Sequence, residues 1–85
     1  MGELSKLPNI GPVVERQLNA VGITTYKELK EDGCYNAWLR IQGIDPSACI
    51  HRLLSLEGAI RGVKKADLPR ETKEELKVFY RAHRL

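Results

Sequence analysis

Glycine and proline cut this chain wherever its hydrophobic pattern has run a few helical turns. Pro8, Gly11 and Pro12 fall within five residues; Gly22, Gly33, Gly43, Pro46 and Pro69 follow. Proline breaks a helix interior, and glycine there costs about 1 kcal/mol relative to alanine. A chain punctuated in this way cannot build one or two long helices. No strand-like alternation with hairpin dipeptides offers a sheet instead. The expected fold is all-α, a compact bundle of five or six short helices in one domain over residues 1–85.

The segments follow from caps and stripes. A short first helix is expected over Glu3–Leu7, stopping before Pro8. The second begins at Pro12, whose missing N–H would be unpaired at that position anyway. Val14, Leu18 and Val21 form its apolar stripe, and Gly22 stops it. Thr25 and Glu28 have capping-box spacing for the third, with Thr24 an equal choice of cap. Tyr26 and Leu29 face inward, and Gly33 ends the segment. A fourth helix over about Tyr35–Gln42 carries Trp38, Leu39 and Ile41 and ends at Gly43. Asp45 and Pro46 read as N-cap and first residue of a fifth, which runs to about Arg61. Its apolar arc, from Ile50 through Ile60, is broad enough to mark it as central. Gly58 inside it suggests close approach of another helix. Pro69 opens the last helix, with Leu76, Phe79 and Tyr80 as inner stripe.

Charge is uneven. The net charge is +3, and residues 1–42 cancel, so the excess lies after Gly43. A basic second half suits either a polyanion or an ordinary solvated surface. Cys34 and Cys49 form no CxxC pair and read as reduced, partly buried thiols. No apolar run is long enough to span a bilayer, and MGELSK has no signal-peptide core. Ser5 stands one place early for myristoylation. A soluble, cytoplasmic chain is expected. His51 and His83 lack metal-ligand spacing, and Ser5, Ser47 and Ser55 lack a nucleophile elbow. No enzyme, cofactor, metal or small-molecule substrate is expected. Glu57 is expected to cap a neighbouring loop, to pair with Arg40 or Arg61, or to be simply a partly exposed charge. Trp38 and Tyr35 read as core residues or as an interface anchor.

The loop Leu7-Pro8-Asn9-Ile10-Gly11-Pro12 is where function is sought. Asn9 tolerates a left-handed backbone, Ile10 would anchor the loop, and Gly11 needs no side-chain room. The N–H groups behind it are unpaired at a helix start, which attracts anions. LPNIGPVVERQLNAVGITTYKEL resembles a helix-hairpin-helix segment, which in many proteins binds the DNA backbone without reading sequence. The succession Asn9-Ile10-Gly11, Gly22-Ile23, Ala37-Trp38-Leu39, Leu56-Glu57-Gly58-Ala59 and Leu68-Pro69 resembles, over nearly the whole chain, the C-terminal domain of the TfoX/Sxy family. That resemblance implies an all-helical module, helix-hairpin-helix at its N-terminus, from bacterial regulators of DNA-uptake competence. Larger members carry an added α/β domain, so this chain is expected to be a standalone version or a fragment.

Two readings of the loop stand side by side. In one, Asn9, Ile10, Gly11, Val13 and Val14 meet double-stranded DNA with Lys6 and Arg16, and Lys64, Lys65, Arg70 and Lys73 add phosphate contacts. Such binding would be non-specific and would weaken steeply with salt. In the other, the hairpin only braces the helices, and the module docks a transcription factor or another protein. Asn9 in place of the usual loop glycine, Pro12, the apolar Val13 and Val14, and the offsetting Glu3 and Glu15 weigh toward the second.

Overall fold

The computed structural model describes residues 2–84. Among them are four α-helices and two 3-10 turns, with no strand. The helices are α1 (Pro12–Ala20), α2 (Tyr26–Ile44), α3 (Ile50–Arg61) and α4 (Arg70–His83). The turns are Leu4–Lys6 and Lys65–Asp67. The all-α class holds, but the helices number four and not five or six.

Two physical causes account for the number, and a third moves a boundary. The expected first helix is a single 3-10 turn, because Leu7 is already extended (φ −78°, ψ 152°). Proline at position 8 disfavours the α region for the residue before it. The expected third and fourth helices meet directly at a non-helical Gly33 (φ 81°, ψ 160°) with no loop between them, and together form α2. One left-handed glycine redirects the chain, and helical geometry resumes at once. Gly43 does not end α2, which continues to Ile44. The fifth helix begins at Ile50 with Cys49 as its N-cap, not at Asp45-Pro46. The Asp45 carboxylate instead accepts from the N–H and hydroxyl of Ser47, and Ala48 N–H donates to the Asp45 carbonyl. Those bonds close a turn ahead of the helix.

Other local expectations are met. Thr25 and Glu28 form the capping box, and the Glu28 carboxylate also accepts from Thr24 N–H and hydroxyl. These bonds, led by that from the Thr24 backbone, lower the Glu28 pKa. Asn9 is the one non-glycine residue with positive φ among those described, at 69°. Gly62, left-handed at φ 75°, caps α3.

The core forms around α3, which packs against α2, α4 and the second 3-10 turn. Leu53, Leu56 and Ala59 of α3 meet Leu29, Ala37, Trp38 and Ile41 of α2 and Leu76 of α4, all buried. Trp38 is wholly enclosed; its ring meets Phe79 and Tyr80 edge-on, and its indole N–H donates to the Cys49 carbonyl at 3.2 Å. Tyr35 is not core: it is exposed and stacks on Phe79. Glu57 pairs with Arg61 at 2.9 Å, while Arg40 pairs with Asp32. No described helix is long and apolar enough to cross a membrane.

One polar network ties α1, the end of α2 and α3 together. Gln17 donates to Asp45 at 2.9 Å, and Arg52 donates to Gln17 at 2.7 Å and to Asp45 at 3.1 Å. Hydrogen bonds from the Ser47 hydroxyl, Gln17, the Ser47 N–H and Arg52 hold the Asp45 carboxyl at about 2, below its ordinary 3.8. A carboxyl depressed on folding stabilises the fold above its unfolded pKa and loses that contribution as pH falls through the folded value. Acid titration followed by circular dichroism should therefore show Asp45→Asn less stable than the parent near neutrality. The difference should shrink between about pH 4 and pH 2. A difference that stays constant over that window would remove the network as its cause.

Candidate functional site

The loop before α1 is held from inside the fold. The Asn9 amide donates to the Val63 carbonyl at 3.0 Å and, more weakly, to the Ser55 carbonyl at 3.4 Å. Its oxygen accepts from Lys65 N–H at 3.0 Å. Both ends of the side chain are thus bound to α3 and the segment that follows it. Ile10 beside it is buried.

Gly58 makes this clamp possible. A Cβ there would overlap the Asn9 amide nitrogen, and would stand 2.8 Å from the Val63 carbonyl oxygen and 3.2 Å from Lys65 N. The close neighbour of Gly58 is therefore a loop and its connector, not the helix that its position suggested. Gly11, in contrast, is extended (φ −94°) with open space around its Cβ position.

The start of α1 is electrostatically occupied. Pro12 contributes no N–H, and Glu15 N–H donates to the Gly11 carbonyl at 3.0 Å. The Glu15 side chain is buried and folds back over the N-terminal segment. Its carboxylate accepts from Gly2 N–H at 3.1 Å and Ser5 N–H at 2.9 Å. These bonds, Gly2 first, hold its pKa below the usual carboxylate range. A carboxylate in the first turn already satisfies the positive end of the helix. An approaching phosphate would meet that charge. In sequence Glu15 stands only as an offset to nearby cations; its bonds to Gly2 and Ser5 brace the N-terminal segment and leave α1 without a side-chain cap.

The residues expected to bind together divide. Lys6 and Asn9 on one side and Lys64 and Lys65 on the other line a single open groove of about 820 Å³. Leu7, Pro8, Val63, Ala66 and Asp67 complete most of its lining, which is mainly apolar. Lys73 donates to the Ala66 carbonyl at 2.9 Å, so α4 braces the far wall. Arg16 and Arg70 are exposed but do not line the groove. Val13 is 55% exposed, and Val14 packs against the core. The groove was not visible in sequence because its walls are more than fifty residues apart.

Among the described residues no group of three or more His, Cys, Asp or Glu gathers as a metal site. Both cysteines are free. Burial, and then the Glu57 carboxylate, push the Cys34 thiol up to about 12, which leaves it protonated.

The fold and its internally clamped loop define an all-helical module with a lysine-lined groove between its N-terminal segment and the connector that follows its third helix. The chain belongs to the TfoX C-terminal domain family, whose model matches residues 1–80. Protein Sxy of Escherichia coli K12 is 36% identical over 73 residues, which are 86% of this chain and 35% of Sxy. The chain thus spans about a third of the length of that curated relative. Two crystal structures from Listeria monocytogenes, described as an uncharacterized protein and a protein of unknown function, are similar throughout. The first is 44% identical with TM-score 0.93, covering 95% of this chain and 92% of its own. The second is 45% identical with TM-score 0.92, covering 94% and 98%.

Proposed function

We propose that the chain is a noncatalytic regulatory module of competence or transcription, acting as a protein–protein adaptor in which the N-terminal hairpin is structural. The observation that carries this reading is the complete internal use of Asn9. A loop whose tip side chain binds Ser55, Val63 and Lys65 serves the fold. The buried Ile10 and the Glu15 carboxylate in the first turn of α1 support the same reading. Competence control comes from family membership and belongs to the proposal.

One observation favours a second reading, non-specific contact with the DNA backbone. Lys6, Lys64 and Lys65 come together around one groove, which concentrates positive charge. The site would then be the groove and not the hairpin tip.

Photo-crosslinking in the native cell separates the two. A photoreactive residue is placed in turn at Lys65, Val13 and Val78, all exposed. The adaptor reading expects a protein adduct at one position, and that protein, once purified, should rebind the unmodified chain. Adducts with DNA alone would overturn it. So would salt-sensitive anisotropy with an arbitrary duplex that is lost in the Lys6→Glu/Lys64→Glu/Lys65→Glu variant.

A further inference from the structure

We infer that the groove between residues 6–9 and 62–67 binds an acidic peptide segment that carries an aliphatic side chain. The inference rests on the adaptor reading and specifies the chemistry of the partner.

Charge and polarity act together in this groove. Lys6, Lys64 and Lys65 face a single acid, Asp67, among the lining residues. Complementary charge steers a carboxylate-bearing partner and rejects a basic one. Three exposed lysines alone would serve a phosphate equally well, so the lining decides between them. Leu7, Pro8, Val63 and Ala66 make it mainly apolar. The phosphate ridge of a duplex has no aliphatic group to place against them. A Leu, Ile or Val between Asp or Glu residues buries its side chain there while its acidic neighbours meet the lysines. Burial of apolar area then supplies the affinity and the charges supply orientation.

The groove is also prepared for an occupant. Its two walls are pinned to each other by Asn9, which bonds Val63 and Lys65 across the base. From the far side, Lys73 bonds the Ala66 carbonyl. Walls fixed before binding lose little conformational freedom when a ligand arrives.

The test is amide chemical-shift mapping on the isotopically labelled chain with three probes: a short Glu/Asp peptide carrying Leu, the same peptide with Ser for Leu, and an arbitrary DNA duplex. The expected result is that the Leu peptide shifts the amides of Lys6, Leu7 and Val63–Ala66. Affinity should fall about tenfold or more with the Ser peptide and in the Lys64→Glu/Lys65→Glu variant. Both lysines are exposed, and circular dichroism checks that the variant folds. Equal affinity for the two peptides would overturn the inference by making the site a charge reader only. Preference for the duplex at the same amides would overturn it in favour of nucleic acid. Absence of shifts with every probe would also overturn it. The crosslinking result keeps the two failures apart. A protein captured through Val13 or Val78 but never through Lys65 removes the groove and leaves the adaptor reading. DNA adducts alone remove both.

Discussion

Trp38→Ala is expected to cost about 3–5 kcal/mol, the range for deleting a large buried side chain. At roughly 0.05–0.15 kcal/mol per residue, a chain of this length has about 4–13 kcal/mol in all. At the lower end of that range the variant sits at the edge of folding. Trp38 is fully enclosed where α2, α3 and α4 meet, with Phe79 and Tyr80 edge-on to its ring. Removing it leaves a cavity at the junction that holds α4 in place. Trp38→Phe separates volume from hydrogen bonding. Phenylalanine keeps much of the ring packing, loses the bond to Cys49 and leaves a smaller cavity than alanine does. The Cys49 carbonyl still accepts from Arg52 N–H at 3.1 Å, so the loss there should be about 1 kcal/mol. Urea unfolding followed by far-ultraviolet circular dichroism reads both variants, since neither retains a tryptophan to report. If Trp38→Ala lost less than Trp38→Phe, the ring would not be the keystone of the junction.

Trp38 also marks how far the sequence can be followed. Its core position was one of two readings there, because an isolated aromatic in an apolar stripe looks alike whether another helix or a partner covers it. Caps, stripes and most stops were legible from neighbours within four residues: Thr25 with Glu28, Pro12 at a helix start, Leu18 in its stripe. Errors arose where a punctuating residue had more than one way to act. Gly33 interrupts the helix as expected, but no loop follows it and the two helical stretches run on as α2. Asp45 closes a turn with Ser47 when it was expected to cap α3. The left-handed backbone of Asn9 was legible, but its clamp was not, since its partners lie 46 to 56 residues away. The groove failed for the same reason. Lys6 belongs to a charge-balanced half of the sequence and Lys64 and Lys65 to a basic half, and only the fold brings them to one site.

The second large effect is expected at Gly58. On helix propensity alone, Gly58→Ala should stabilise α3 by about 1 kcal/mol. The structure reverses the sign. The new methyl would overlap the Asn9 amide and press on the Val63 carbonyl oxygen at 2.8 Å, a backbone atom that cannot rotate away. Overpacking of this kind costs about 1–3 kcal/mol, and loss of the Asn9 hydrogen bonds adds about 1 kcal/mol each. Set against the propensity gain, a net loss of about 2–4 kcal/mol is expected, which lowers Tm by roughly 10–30 °C in a domain of this size. Asn9→Gly identifies the cause, because glycine keeps the left-handed backbone at position 9 and removes the clamp. If Gly58 is there to admit Asn9, the double variant should lose clearly less than the two single variants added together, since the amide it would expel is already gone. Additive losses would mean that the pressure on Val63 alone sets the cost. A stabilised Gly58→Ala would mean that α3 and the connector are not in contact as described. Because Val63 and Lys65 form one wall of the groove, the same substitution should also weaken binding of the acidic Leu peptide at temperatures where the variant is still folded. That joins the packing around Gly58 to the surface inferred to bind the peptide.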